Sequence, residues 1–450
     1  MPVVPLPTRR GQQGEAWSGR ETSGPVAETA CEKLLIAGGL HLDGEIKASG
    51  CKNAAVALLP AAVLVPGASR FQAMPAVSDV AVLCTLLQSI GVVCLKDSSG
   101  GGLVVDSSAA RPRETAAPLC RQLRASMYIL GALLGRFGEA DVPLPGGCDI
   151  GNRPVDQHLK GLRALGAEVR VSHGAVRARA RRLRGASVYM DVTSVGATVN
   201  TILAAATAEG MTVIHNAAKE PHVVDTASFL NSCGARIQGA GTDVIRIYGV
   251  DPGSLRPATH SVVPDAIEAA TYLIAGVATG GRVTVENVIP VHLAAVTAKL
   301  MEAGAGVTVR ADSISVDARG RRPKAVNVTT LPYPGFPTDV QQPMSALLAV
   351  ADGTSIVTET VWDGRFKHAS ELARMGARLR IDGRTAVIEG VPELLAAPVR
   401  ASDLRAGAAL VVAALTARGV TELSGLEHLD RGYEAVPAKL SALGARVARV

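Results

Sequence analysis

Aromatic side chains are nearly absent from this 450-residue chain: 2 Trp, 6 Tyr and 5 Phe make up 3% of it. That scarcity counts against the stacked aromatic platforms on which single-stranded nucleic acids bind. It leaves the cores to be built from Ala, Val, Leu and Ile, which suits regular layers of helix and sheet. Cysteine is sparse as well. The seven thiols, at positions 31, 51, 84, 94, 120, 148 and 233, are odd in number and form no CxxC pair, so neither a disulfide framework nor a zinc site is expected. A reducing, cytoplasmic setting fits that usage. The first residues carry no signal-peptide h-region, and the charge-free run Asn53–Ser69 is short and interrupted by Pro60 and Pro66. A soluble protein without a membrane partner is expected. Charge of one sign is not in large excess either. The 46 Lys and Arg against 40 Asp and Glu leave +6 over the whole length, which suits an anionic small molecule at least as well as nucleic acid. The densest basic run, "RARARRLR" (177–184), alternates with Ala as a strand with one solvated face does.

What is present is ample apolar material, 48% of the residues, enough for two or three domains. Residues 1–33 are rich in Pro, Gly, Ser, Gln and Glu without periodicity and are expected to be a disordered extension. In the remainder a pattern recurs six times: a helix-like segment, a small-residue turn, then an apolar strand. The six are "LQSIGVVC", "LRALGAEV", "LNSCGARI", "LMEAGAGV", "LARMGARL" and "LSALGARV". Their aligned glycines are Gly91, Gly166, Gly234, Gly304, Gly376 and Gly444, spaced 68 to 75 residues apart, each where a helix C-terminus calls for the left-handed conformation. Six compact units divide into two groups of three, each group closing its helices inside a shell of sheets. The expected fold is therefore α/β with two similar domains and a ligand cleft between them.

Charge is concentrated at Gly- and Pro-rich bends. "SGCKNAA" (49–55) puts Lys52 and Asn53 at the start of an apolar helix, a position suited to anions. "RQLRASMY" (121–128) offers Arg121 and Arg124 at helical spacing, and "LPGGCDIGNRPVDQH" (144–158) offers Cys148, Arg153 and Asp156. Asp339 is the only charge in "PYPGFPTDVQQP", Arg365 lies in "DGRFKH", Asp403 and Arg405 in "SDLRAG", and Asp430 and Arg431 in "LDRGYE". Singly, each has an ordinary explanation: a solvated cap, an Asp bonded to its own turn, an inert thiol. Together, one Lys, several Arg and few acids describe a site for a phosphate-plus-carboxylate ligand. Asp339 would be a base among cations, and Cys148 an ionisable thiol beside Arg153.

From about Lys33 to Val450 these segments, with "TSVGAT" (193–198), "NAAKEP" (216–221), "GAGTDVIRIYGV" (239–250) and "HLDRGYE" (428–434), resemble the enolpyruvyl transferases. The resemblance implies two domains of three βαβαββ-like repeats each, an inside-out α/β barrel with the active site in the interdomain cleft. Residues 34–51 and 264–450 would form one domain and 52–263 the other, with a catalytic loop at 144–158. It implies transfer of the enolpyruvyl group of phosphoenolpyruvate to a hydroxyl of a uridine nucleotide, without metal or organic cofactor. Cys148 would be the general acid and Asp339 the candidate base, with Lys52 also catalytic. Lys52, Arg124, Arg153, Arg405 and Arg431 would hold phosphoenolpyruvate, with Asp403 nearby; Asn53, Arg153, Asp156, Ser194, Val195, Gly196, Asp339 and Val361 would face the nucleotide. Asp149, beside the thiol, would help keep it protonated.

The chain departs from the family pattern mainly on the acceptor side. A habitual Arg is Ala266, a Glu is His222, a Leu is Gln157, a Phe is Trp362, a Met is Lys367, and a Lys present in some members is Val192. These changes are expected to lie away from the phosphoenolpyruvate chemistry. They leave open three outcomes: a UDP-sugar acceptor, a paralogue acting on UMP in nucleoside-antibiotic assembly, and a non-catalytic nucleotide-binding homologue.

Overall fold

The computed structural model describes residues 32–97, 102–113, 115–146 and 154–450. All six aligned glycines adopt positive φ, between 84° and 104°. Each sits just past a helix end in the same pattern of backbone bonds. After the helix Ser78–Ser89, for example, Gly91 N–H donates to Gln88 O at 3.0 Å and Val92 N–H to Leu87 O at 3.1 Å. The same pair recurs at Gly444 and Ala445 after the helix Val436–Ala442. A Cβ in the left-handed region is strained, which is why the repeat keeps glycine there.

Among the described residues the strands form six separate sheets, five of four strands and one of three. Each four-stranded sheet has one parallel pair followed by two antiparallel neighbours, as in Val328–Thr329, Thr354–Thr358, Thr385–Glu389 and Arg378–Asp382. The basic run is solvated as expected, but its strand ends at Arg179; Arg177 pairs across the sheet with Asp141 at 2.8 Å. Six helices lie behind the sheets and are buried over most of their length. Lys52–Val63, Tyr128–Phe137 and Val195–Ala205 belong to one hydrophobic core; Ala266–Ala278, Gln341–Leu348 and Leu404–Thr416 belong to a second. Small residues let these helices approach closely. A Cβ on Gly131 would fall 2.3 Å from Asn200 O on the neighbouring helix. Among the described residues no helix is long and apolar enough to cross a membrane.

The chain passes between the two cores at two adjacent places. Cys51 N–H donates to Val263 O at 2.7 Å and Asp265 N–H to Ser49 O at 2.9 Å, so the two crossings brace each other. Beneath them Lys439 Nζ holds Glu268 Oε1 at 2.5 Å and Ser49 Oγ at 2.7 Å, while Glu268 Oε2 accepts from Ser49 N–H at 2.7 Å. Burial raises the Glu268 carboxyl above its ordinary range, opposed by Lys439. The folded chain therefore holds that proton more tightly than the unfolded chain, and ionisation costs stability as pH rises through the raised value. Replacing Lys439 with Met removes the opposing cation. Chemical denaturation should show a loss of about 3–5 kcal/mol at pH 8 and a smaller loss at pH 5, where Glu268 can take up a proton.

Candidate active site

Lys52 opens the helix Lys52–Val63, and its backbone N–H, one of the donors a helix start leaves unpaired, is taken by Asp265 Oδ2 at 3.1 Å. The other Asp265 oxygen caps its own helix, accepting from Ile267 and Glu268 N–H at 2.8 and 3.0 Å. One carboxylate thus joins the starts of two helices from the two cores. The Lys52 side chain turns to Asp79, Nζ to Oδ2 at 3.4 Å, and the opposite oxygen of Asp79 accepts from Arg431 Nε at 2.8 Å. Ser78 N–H donates to Asp430 O at 3.0 Å, holding the Arg431 turn against the helix Ser78–Ser89. Asp79 is 3% exposed. It draws a lysine and an arginine of different cores to one point, and nothing in the sequence reading marked it.

Asp339 sits in the short turn Thr338–Val340 between two buried guanidiniums: Arg365 at 2.5 Å from Oδ1 and Arg405 at 2.9 Å from Oδ2. Burial alone would raise its carboxyl, but Arg405, Arg365 and Lys52 outweigh it and hold it far below the usual carboxylate range. The same pairing pushes Arg405 upward against the cost of its own burial. Gln342 completes the set, its amide oxygen accepting from Arg365 Nε at 2.6 Å and its nitrogen donating to Thr338 O at 3.1 Å. His368, at 1% exposure, is pushed by burial down to about 4, opposed by Asp403, so it is neutral at physiological pH.

Other expected site residues take varied places. Arg121 and Arg124 do not share a helix: Ala117–Gln122 ends first and Arg124 opens a separate turn, because Leu123 is extended. Arg124 Nη2 donates to Pro154 O at 3.1 Å. Asp403 spends Oδ1 on the start of the helix Leu404–Thr416, accepting from Arg405 and Ala406 N–H at 2.9 and 3.0 Å. It positions Arg405 through the backbone. Asp430 pairs with Arg449 at 2.7 Å. Ser194 caps the helix Val195–Ala205, which places Val195 and Gly196 in its first turn. Asn53 follows Lys52 in its helix, and Asp156 opens the helix Asp156–Ala164. Val361 is half-buried. Cys148, Asp149 and Arg153 lie outside the described residues, as does most of 1–33.

A family match spans residues 36–440 and is that of EPSP synthase (3-phosphoshikimate 1-carboxyvinyltransferase). The chain belongs to the enolpyruvyl transferase family. A UDP-N-acetylglucosamine 1-carboxyvinyltransferase of Clostridium botulinum is 52% identical to it over 93% of this chain and 100% of that protein. A relative of that name from Symbiobacterium thermophilum is 53% identical over 92% of this chain and 97% of its own length. Among solved structures, the enolpyruvyl transferase NikO from Streptomyces tendae has a TM-score of 0.84 at 30% identity, covering 93% of this chain and 99% of its own. An EPSP synthase from Acinetobacter baumannii, at 18% identity and a TM-score of 0.67, shares the fold over 93% of this chain and 100% of its own.

In this enolpyruvyl transferase the departures occupy varied surroundings. Burial holds His222 below its ordinary pKa, opposed by Glu220, Asp339 and Asp265. Ala266 directly follows Asp265, the residue that holds the Lys52 backbone. Gln157 has a local role: its amide nitrogen donates to Asp156 Oδ2 at 2.8 Å and Asp191 Oδ2 at 3.1 Å, while its oxygen accepts from Asp191 N–H at 3.0 Å. A Leu there would leave that cross-link unmade. Val192 is 61% exposed, and nothing in the structure explains it.

Proposed function

We propose that this chain transfers the enolpyruvyl group of phosphoenolpyruvate to the 3-hydroxyl of UDP-N-acetylglucosamine, releasing phosphate, as a step in peptidoglycan precursor synthesis in the cytoplasm. The observation that carries the acceptor is the 52% identity to a protein of that activity over that protein's full length; the likeness to NikO is 30%. In this proposal residues 34–51 and 264–450 form one domain, 52–263 the other, and the substrates lie between them. Lys52, Arg124, Arg153, Arg405 and Arg431 hold the phosphate and carboxylate, with Asp403 fixing Arg405. Asn53, Asp156, Ser194, Val195, Gly196 and Val361 face the nucleotide.

Cys148 protonates the methylene carbon of phosphoenolpyruvate, making the adjacent carbon electrophilic. The sugar hydroxyl attacks that carbon as Asp339 takes its proton. Loss of phosphate from the tetrahedral intermediate, with return of a methyl proton to the enzyme, restores the carbon–carbon double bond as an enol ether of the sugar. Asp339 is ionised, and so able to accept a proton, but its two arginines make it a weak base. Substrate anions that draw Arg405 or Arg365 away raise its basicity when the site is filled. Closure of the domains excludes water, whose attack would consume the donor.

Phosphate release is measured with phosphoenolpyruvate and either UDP-N-acetylglucosamine or UMP. Turnover with the sugar nucleotide is expected. Turnover with UMP alone would give the acceptor to the rival reading, and release with neither would leave a binding homologue.

A further inference from the structure

Glu359 has no part in the chemistry described so far, yet its carboxylate is 1% exposed and makes no ion pair among the described residues. A carboxylate buried without a cation is costly unless hydrogen-bond donors surround it. Four do. Thr330 Oγ1 at 2.8 Å, Val361 N–H at 2.8 Å and Trp362 N–H at 3.1 Å donate to Oε1; Thr338 Oγ1 donates to Oε2 at 2.8 Å. Thr330 and Thr338 flank the segment "LPYPGFP" (331–337), whose three prolines have no N–H with which to tie it down. The sheet strand Val328–Thr329 leads into this segment and the turn carrying Asp339 leaves it. Glu359 therefore holds both ends of the proline loop and, through two backbone donors, the segment Val361–Trp362 that follows it in the chain.

We propose that Glu359 is a positioning residue that sets the spacing between the base Asp339 and the acceptor-facing segment Val361–Trp362. This rests on the proposed function, in which Val361 faces the nucleotide. Its Oε2 holds the end of the base's loop through Thr338, and its Oε1 joins the start of that loop, through Thr330, to Val361 and Trp362. Moving either oxygen changes how the attacking hydroxyl meets Asp339 and leaves the cations for phosphoenolpyruvate in place.

The discriminating pair of variants is Glu359→Asp and Glu359→Gln. Asp keeps the charge but is one methylene too short to reach Thr338, Thr330, Val361 and Trp362 at once. Gln keeps the length, accepts the three donors on its oxygen and can donate its amide to the Thr338 hydroxyl. Wild type is first assayed with UDP-N-acetylglucosamine and with UMP, and the acceptor it uses serves throughout. Wild-type turnover of neither overturns both the proposed function and this assignment. With either acceptor, kcat is expected to fall about 30-fold or more in the Asp variant and less than about 10-fold in the Gln variant. KM for the acceptor should rise while KM for phosphoenolpyruvate stays within about twofold of wild type. An Asp variant as active as wild type, or more active than the Gln variant, overturns the assignment, as does an equal rise in both KM values. Melting is followed by circular dichroism. If the Asp variant fails to fold, Thr338→Val cuts the Oε2 contact alone: a kcat about 10-fold down at unchanged melting temperature supports the role, and wild-type kcat overturns it.

Discussion

Replacing Asp339 with Asn should lower kcat about a thousandfold while leaving the chain folded, because the amide cannot take the proton of the attacking hydroxyl. Phosphate release under saturating substrates measures this. KM for phosphoenolpyruvate should change far less, since the cations remain. Stability should fall as well. Arg365 and Arg405, each with a side chain 4% exposed, lose the charge shared between them. The cost of leaving buried guanidiniums without a counter-charge is about 3 kcal/mol. The pH dependence identifies the cause. Asp339 is held far below the carboxyl of an unfolded chain, so its contribution is fully present above about pH 5 and fades as acid is added. The wild type should lose stability on acidification through that window, and the Asn variant should lack this component of the loss. Equal acid sensitivity in the two proteins would show that the arginines do not depend on Asp339.

Asp79→Asn should produce the second large effect. Asp79 is the shared anion of Lys52 and Arg431, whose side chains are 14% and 18% exposed. Without its charge, each cation keeps its length and freedom but loses the partner that aims it. The expected fall in kcat/KM for phosphoenolpyruvate is at least about tenfold, the scale on which misplaced binding groups act. KM for the nucleotide should be nearly unchanged, which separates loss of aim from general loosening. The melting temperature should also drop, because this carboxylate draws together segments of both cores. A variant with wild-type kinetics on phosphoenolpyruvate would remove Lys52 and Arg431 from the donor site.

Much of the architecture was legible because it is written locally. A glycine at a helix end reports a left-handed residue whatever surrounds it, and the six turns adopt that conformation as read. The alternation of Arg177 and Arg179 with Ala reported a solvated strand face for the same reason. Reading failed where local spacing was taken as continuity: Arg121 and Arg124 are three apart, but an extended Leu123 separates them. Family motifs located the cations, yet whether the departures lay near the reaction depended on what stood beside them in space. Gln157 bridges Asp156 and Asp191, a contact its place in the motif did not announce.

Sequence by itself determined the repeat, the family, and the set of charged residues offered at Gly- and Pro-rich bends. Only the tertiary structure decided which of those charges meet. Asp79 and Arg431 are 352 positions apart, and Asp339 and Arg405 are 66 apart. Glu359 follows the strand Thr354–Thr358, and its four donors come from three separate segments. The physical reason is common to all three. A buried carboxylate is stable only where folded segments bring donors or cations to it, and that convergence has no period, spacing or composition by which a linear sequence could announce it.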